Sequence, residues 1–123
     1  MPRYVILHHE LPPGEPRPAH WDLMLENDAV LRTWALAELP QAGRTVAAQP
    51  LPDHRRDYLD YEGPVSRGRG TVMQWDAGTC EWTVREPDRV TVAVEGRRLR
   101  GWIRLCATAT GAWELVYSEH VLA

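Results

Sequence analysis

Apolar and polar residues alternate with a period of two along most of this chain, a pattern typical of β-strands that bury one face. The clearest run covers residues 19–26, where one face is apolar and the other is mostly polar: Trp21, Leu23 and Leu25 against His20, Asp22, Met24 and Glu26. We interpret the apolar row as core packing. The next two residues, Asn27 and Asp28, predict a hairpin turn into a second strand over residues 29–36.

Further short strands are predicted between turn signals such as Asp76-Ala-Gly78 and Glu95-Gly96. They cover residues 4–9, 70–75, 81–85, 90–94, 98–105 and 113–117. Strands of this length, repeated at roughly ten-residue intervals, indicate a mostly β fold, either an antiparallel sandwich or a barrel. Helical signals are weak, and the best of them predicts a short helical turn within residues 52–61, capped by Asp53.

Length and composition limit the class of protein. The 123 residues, 44% of them hydrophobic, match one domain spanning residues 1–123. No apolar stretch approaches the ~20 residues of a membrane span, and no signal peptide is recognisable. Cys80 and Cys106 form neither a disulfide framework nor a zinc motif, so we expect a cytoplasmic protein with free thiols and no membrane partner. The net charge of −3 offers no general attraction to nucleic acid.

Two irregular polar segments interrupt the strand pattern, and function on a β scaffold tends to lie in such loops. Residues 11–18 contain four prolines and precede His20. Residues 63–70 contain three glycines with Arg67 and Arg69, a composition that can bring backbone N–H and guanidinium groups to an anion. The same composition also makes an ordinary hairpin loop, so both interpretations stay open.

The strongest chemical signal comes from His9, His20 and Asp22. His20 and Asp22 are two residues apart on the alternating strand, so both side chains leave the same face. Two imidazoles and one carboxylate suit Mn, Fe, Zn or Co better than Ca or Mg, because nitrogen donors favour the later divalent ions. Such an ion can polarise a phosphoryl oxygen or activate water. Scattered histidines near a turn are also common on surfaces without any metal, and the spacing alone leaves that alternative open.

Several motifs occur in an order that resembles a known family. After the histidine pair at residues 8–9, the chain reads HWDLMLENDAVLRTWAL from residue 20, PDHRRDYLDYEG from residue 52 and GTVMQWDAGTCEW from residue 70. This series resembles the 3′-phosphoesterase domain of bacterial DNA ligase D, over residues 4–119. The resemblance implies a small antiparallel β-barrel with one or two short helices and a Mn²⁺-dependent site. It also implies removal of 3′-phosphates and 3′-terminal ribonucleotides from DNA ends during end joining.

The resemblance further implies two sets of site residues. The metal set is His9, His20 and Asp22. His8 is an alternative register for the first of these, and Zn²⁺ or Co²⁺ are alternatives to Mn²⁺. A second set, on the phosphate side, is expected to be catalytic: His54, Tyr58 and, with a looser match, Arg44.

The chain departs from the family pattern at charged positions. Met24, expected to point toward the metal pocket, stands where the family has an arginine, and Glu38 and Tyr117 stand where it has lysines. Other arginines are expected as alternative phosphate contacts: Arg55, Arg56, Arg67 and Arg69. Two functions therefore remain. One is a metal-dependent phosphoesterase acting on nucleic-acid 3′ ends or on a smaller phosphate ester. The other is a weakened module that binds DNA ends or repair proteins such as ligases and polymerases.

Overall fold

The strands of this protein form a closed ring. The computed structural model describes residues 1–16 and 18–119, in the order β1 (Arg3–Glu10), β2 (His20–Asn27), β3 (Val30–Leu36), β4 (Thr45–Arg55), a 3₁₀ turn (Arg56–Leu59), β5 (Gly63–Pro64), β6 (Thr71–Arg85), β7 (Arg89–Gly96), β8 (Arg100–Ala107) and β9 (Trp113–Glu119). Neighbouring strands follow the order β1-β2-β3-β4-β9-β8-β7-β6, and β6 pairs back onto β1. All these pairings are antiparallel, so the ring is an eight-stranded antiparallel barrel, as predicted. Within the described residues, no helix is both long and apolar enough to span a membrane.

The inward faces of the strands fill the barrel interior. Leu23 and Leu25 are fully buried there and Trp21 packs against them, which confirms the predicted core role of this row. The other strands contribute mainly Tyr4, Ile6, Trp34, Leu36, Val46, Val90, Val92, Val94, Ile103, Leu105, Trp113 and Leu115. A barrel of eight strands has an interior just wide enough for such side chains. A functional surface is therefore expected on the outside or at the rim.

A second apolar cluster covers part of the outer face. It consists of Val5, Leu7, Met24, Leu31, Leu59 and Val72, and Leu59 comes from the 3₁₀ turn that packs over the strands. Met24 leaves the same face as Asp22, but its side chain is only 1% exposed. The expectation that Met24 opens toward a pocket is therefore corrected, because apolar neighbours enclose it.

One predicted turn is wrong. The strand β6 runs without a break through Asp76-Ala-Gly78. Asp76 is a buried carboxylate that accepts hydrogen bonds, and Gly78 lies so close to the carbonyl of Glu95 that a Cβ would overlap it. Residue types that usually signal a turn here serve close packing inside a strand.

The strand β4 lies in a segment where no strand was predicted. It pairs with β9 only up to Ala48 and continues beside β3 alone, and its two prolines lie in that second part, where a missing N–H is tolerated. The helical turn expected within residues 52–61 is shorter, Arg56–Leu59, because β4 extends to the residue before it. Asp53 is part of the strand and does not cap the turn.

Residues 63–70 comprise β5 and the hairpin loop, residues 65–70, that joins β5 to β6, in agreement with one of the two interpretations of this segment. Arg67 and Gly68 adopt left-handed φ angles of 62° and 63°. Gly70 lies against the backbone carbonyl of Glu10, in a space that a Cβ would overlap. The loop is thereby held against the end of β1.

Candidate metal centre

The pairing of β1 with β2 brings the two candidate histidines together. His9 and His20 are register partners, and their ring centroids lie 4.7 Å apart. Asp22 leaves the same face two residues further along β2. One potential ligand atom from each of the three residues lies within 4.8 Å of the others. The hairpin therefore assembles the set of side chains that the sequence predicted.

Asp22 contacts both histidines. Its Oδ2 lies 3.1 Å from Nδ1 of His9, and its Oδ1 lies 3.0 Å from Nε2 of His20. The second contact lacks hydrogen-bond geometry, so among the described residues Oδ1 has no hydrogen-bond partner although it is buried. The Asp22 side chain is only 5% exposed. A buried carboxylate oxygen in this state costs free energy unless a cation or proton satisfies it.

The backbone of the hairpin loop orients His9. Nε2 of His9 lies 2.8 Å from the carbonyl oxygen of Arg69, which can only accept a hydrogen bond, so Nε2 carries the hydrogen. In the neutral ring, Nδ1 is therefore the nitrogen whose lone pair would bind a metal ion. Metal-binding histidines commonly donate the hydrogen of their second nitrogen to a carbonyl in this way.

These three side chains fit a divalent transition ion. Two donors about 2.1 Å from one ion and at right angles are about 3 Å apart, which matches the 3.0 and 3.1 Å between Asp22 and the two histidines. Burial raises the pKa of Asp22, but the contacts with His20 and His9 outweigh it and hold that pKa below its ordinary value. The carboxylate is therefore charged at neutral pH, which is the form that binds metal.

His8 lies on the other face of β1. It is the register partner of Trp21, and the two rings stack with their centroids 5.2 Å apart. Cross-strand partners share a face, and Trp21 packs against the barrel core. Of the two possible registers, the geometry therefore favours His9 over His8 as the metal ligand.

His54 and Tyr58 lie beside each other where β4 meets the 3₁₀ turn. Their ring centroids are 5.6 Å apart and the planes are inclined by 72°. Nδ1 of His54 donates to the carbonyl of Pro52 at 2.8 Å, so Nε2 is the nitrogen that remains for other partners. His54 pairs with Leu31, and Tyr58 packs against the outer cluster to which Leu31 belongs. Both candidates therefore lie on the outer face that carries Asp22.

Arg44 lies just before β4, at the opposite end of that strand from His54. The eleven residues of β4 span roughly 35 Å when extended. Nη2 of Arg44 forms an ion pair with Oε1 of Glu38 at 2.6 Å. The pair neutralises the acidic residue found at a family lysine position. Tyr117, at the other lysine position, is buried, and its hydroxyl bonds to the backbone of Arg100.

The arginines predicted as phosphate contacts differ in how far they are engaged. The guanidinium of Arg69 donates to the backbone and the hydroxyl of Ser66, while the carbonyl of Arg69 holds His9. In the part of the chain that the structure describes, the side chains of Arg55 and Arg67 have no hydrogen bond or ion pair. These two guanidinium groups remain available to an anion.

The sequence did not indicate a small pocket beside Tyr58. Its volume is about 150 Å³, and it is lined by Arg55, Asp57, Tyr58, Tyr61, Pro64, Val65 and Ser66. Tyr58 and Tyr61 lie at right angles with ring centroids 5.8 Å apart. The available signal in the sequence was the pair of tyrosines three residues apart, shortly after Arg55.

Comparison with known proteins gives consistent matches. A family model described as the DNA Ligase D 3′-phosphoesterase domain matches residues 13–107. Over 102 residues the chain is 33% identical to the multifunctional non-homologous end joining protein LigD of Pseudomonas aeruginosa, which covers 72% of this chain and 12% of that protein. It is 31% identical over 119 residues to LigD of Mycobacterium bovis, covering 89% of this chain and 15% of that protein. The chain thus spans about an eighth to a seventh of the length of these relatives.

The matched range includes most of the residues discussed above. His20, Asp22, His54 and Tyr58 all lie within it, and His9 precedes it on the strand that pairs with β2. The motif order, the barrel and the extent of the match agree with one another. The chain belongs to the DNA ligase D 3′-phosphoesterase domain family.

Proposed function

We propose that this chain is a metal-dependent phosphoesterase that hydrolyses phosphate esters at nucleic-acid 3′ ends in end-joining DNA repair. The observation that carries the proposal is the set of His9, His20 and Asp22, in which a buried carboxylate oxygen lacks a hydrogen bond among the described residues. Membership of a family described as a 3′-phosphoesterase domain supports a phosphate ester at a 3′ end as the substrate. The proposed forms of it are a 3′-phosphate and a 3′-terminal ribonucleotide. Ligase and polymerase repair proteins are the proposed partners.

The metal ligands are assigned to the atoms that face one another: Nδ1 of His9, Nε2 of His20 and the carboxylate of Asp22. Mn²⁺ is the proposed ion, and Zn²⁺ and Co²⁺ share its preference for such donors. When bound, an ion of this kind polarises a phosphoryl oxygen and lowers the pKa of water.

The remaining groups handle protons and charge. Hydrolysis forms a bond between a water oxygen and phosphorus and breaks the bond from phosphorus to the 3′ oxygen, which then takes a proton. Nδ1 of His54 carries the hydrogen that it donates to Pro52, so we assign the donation to Nε2 of the doubly protonated ring, which regains a proton from the attacking water. Tyr58 packs edge-on against His54 and orients its ring.

A second candidate function, a DNA-end or protein-binding module with little turnover, rests on one observation. Met24 replaces a family arginine and is buried among apolar side chains, so that position supplies no cation to a phosphate. The charged hydrogen bond that an arginine would make contributes about 1.5–3 kcal/mol, or roughly one to two orders of magnitude in rate.

The test is hydrolysis of a 3′-phosphorylated DNA primer in the presence of Mn²⁺, with His9→Gln and His8→Gln as a matched pair. The two histidines are neighbours on opposite faces of β1. We expect His9→Gln to lower kcat/KM by at least about 100-fold, since it removes a ligand and not merely an outer contact. His8→Gln should stay within about threefold of wild type, because it removes the stacking on Trp21 and a 4.0 Å contact with Glu10, neither of which involves the metal set.

Equal losses in the two variants would contradict the assignment of the metal ligands. If wild type takes up metal and binds the primer but releases no phosphate with Mn²⁺, Zn²⁺ or Co²⁺, the binding-module function replaces the phosphoesterase.

A further inference from the structure

The small pocket beside Tyr58 has the dimensions of a site for one flat ring. Its volume of about 150 Å³ is well below the roughly 300–1,000 Å³ of pockets that take drug-sized ligands. Tyr58 and Tyr61 present rings at right angles, with Pro64 and Val65 as further apolar wall. An apolar wall with aromatic rings favours a planar, partly polar group such as a nucleobase.

The position of Tyr61 is set before any ligand binds. Its hydroxyl donates to the carbonyl of Pro64, and its ring lies where a Cβ on Gly63 would come within 3.3 Å of the hydroxyl oxygen. Gly63 also has a φ of 133°, a conformation that other residues adopt only with strain. The aromatic wall is therefore preorganised, which lowers the entropy cost of binding.

The lining of the pocket includes a free positive charge. The guanidinium of Arg55 has no hydrogen bond or ion pair within the described ranges, residues 1–16 and 18–119. Asp57 also lines the pocket and would repel a phosphate beside it, but it can accept hydrogen bonds from the amino group of a base. The lining therefore offers one cation for a phosphate and rings plus an acceptor for a base.

The pocket and the metal centre share the hairpin loop of residues 65–70. Ser66 lines the pocket, and the guanidinium of Arg69 bonds to it, while the carbonyl of Arg69 bonds to Nε2 of His9. Three residues of backbone span at most about 11 Å, so the pocket wall and the anchor of His9 are close neighbours. A strand whose 3′ end lies at His9 and Asp22 has its next nucleotide within reach of the pocket.

We propose that this pocket binds the penultimate nucleotide of a single-stranded 3′ end, with the base against Tyr61 and Tyr58 and the adjoining phosphate on Arg55. The inference rests on the proposed function, which puts the terminal 3′-phosphate at the metal centre. It makes the site selective for a nucleic-acid strand over a small phosphate ester. It also provides a cation to the strand where Met24 provides none.

The first test measures binding of a 3′-phosphorylated single-stranded DNA by fluorescence anisotropy without added metal, so that no turnover occurs. Tyr61→Ala should weaken binding roughly tenfold, because stacking of one base on an aromatic ring is lost. Tyr61→Phe keeps the ring and should stay within about twofold of wild type. An abasic penultimate nucleotide should weaken wild-type binding to the same degree and add no further loss in Tyr61→Ala.

The second test uses the salt dependence of binding. Arg55→Gln should lower the slope of log affinity against log salt concentration by about 0.7, the value for one lost contact to a single-stranded phosphate. The matched control is Arg104→Gln, which removes an arginine on β8 whose side chain also has no partner in the described part of the chain. Its slope should equal that of wild type.

The inference is overturned if Tyr61→Ala binds as wild type does, if the abasic and Tyr61→Ala losses add in full, or if Arg55 and Arg104 substitutions act alike. Its failure is separable from that of the proposed function. If the pocket variants do not change the turnover of DNA strands, the inference fails while the proposed phosphoesterase function is retained. If binding depends on the pocket but no metal supports turnover, the proposed phosphoesterase function fails while the nucleotide site is retained.

Discussion

Among the residues that the structure describes, two carboxylates are buried, and their oxygen atoms have different partners. Asp76 accepts hydrogen bonds on both oxygens. Oδ1 accepts from the backbone N–H groups of Arg97 and Arg98, and Oδ2 accepts from that of Leu99 and from the hydroxyl of Tyr4 at 2.6 Å. Asp22, equally buried, faces His9 with one oxygen, and within the described residues its other oxygen has no hydrogen bond.

The difference separates a structural carboxylate from a candidate ligand. The negative charge of Asp76 is balanced by four donors that join β1, β6 and the β7–β8 turn, so nothing remains for an added group. The carboxylate of Asp22 faces one nitrogen of each of two imidazoles. Together these three groups form a set of donors suited to a transition-metal ion. Burial by itself therefore does not distinguish a functional carboxylate from a structural one. Incomplete hydrogen bonding of the buried carboxylate does.

The largest effect is expected from Asp76→Asn. The new amide puts an NH₂ group against donors, and at least one buried N–H loses its acceptor along with the charged hydrogen bonds. We expect the free energy of unfolding in urea to fall by about 3 to 4 kcal/mol. A loss below about 1 kcal/mol would contradict the structural role of Asp76.

A smaller effect is expected in the hairpin loop that holds His9. Gly70→Ala adds a Cβ that overlaps the Glu10 carbonyl, so we expect about 2 kcal/mol of destabilisation. Because the Arg69 carbonyl moves with the loop, metal affinity should fall at least about tenfold. Gly68→Ala is the control, since Gly68 has a similar left-handed φ of 63° but no atom within 4 Å of its Cβ position. Equal changes in metal affinity for both variants would show that the position of the loop does not affect metal binding.

A third effect links Asp76 to alkaline pH through Tyr4. Burial, and then the hydrogen bond to Asp76, raise the pKa of Tyr4 well above its ordinary value. The neutral phenol is thus favoured in the folded state, and its contribution is full below pH ~10 and is lost as pH rises through the folded pKa. Tyr4→Phe should cost about 1.5 kcal/mol at neutral pH.

The stability gap between wild type and Tyr4→Phe should therefore be constant up to pH ~10 and narrow above it, because Phe has no proton to lose. Urea unfolding curves at a series of pH values measure this gap. A gap that stays constant in strong alkali would show that Tyr4 is not held protonated by the fold.

The strands with strict alternation were predictable, and those under other constraints were not. Residues 19–26 alternate cleanly because β2 has a core face and an outer face, and the prediction differs from the observed strand by one residue at each end. β4 lacks such alternation and carries two prolines where only β3 neighbours it. Asp76 and Gly78 have the chemistry of a turn, and their partners in the distant β7–β8 turn are visible only in three dimensions.

The candidate site was predictable to a similar extent. The spacing of His20 and Asp22 on one strand put them on one face. His9 was grouped with them from the sequence, and the resemblance implied the same set with His8 as an alternative register. The β1–β2 register places His9 opposite His20. The enclosure of Met24 depends on the 3₁₀ turn that brings Leu59 over the strands, and a single strand pattern contains no information on that contact. The hydrogen bond from Nε2 of His9 to the Arg69 carbonyl was not predictable, since a backbone atom has no residue-type signal.

The metal centre is tested most directly by a calorimetric titration of Mn²⁺ into wild type and Asp22→Asn. This variant carries the same Asp-to-Asn change as Asp76→Asn above. Without metal, Asp22→Asn should change the free energy of unfolding by no more than about 1 kcal/mol, because the amide keeps the shape and few hydrogen bonds are lost. With metal, wild type should bind one ion per chain, and Asp22→Asn should bind it at least about 100-fold more weakly. Equal Mn²⁺ affinity in the two proteins would contradict the claim that His9, His20 and Asp22 form the metal centre.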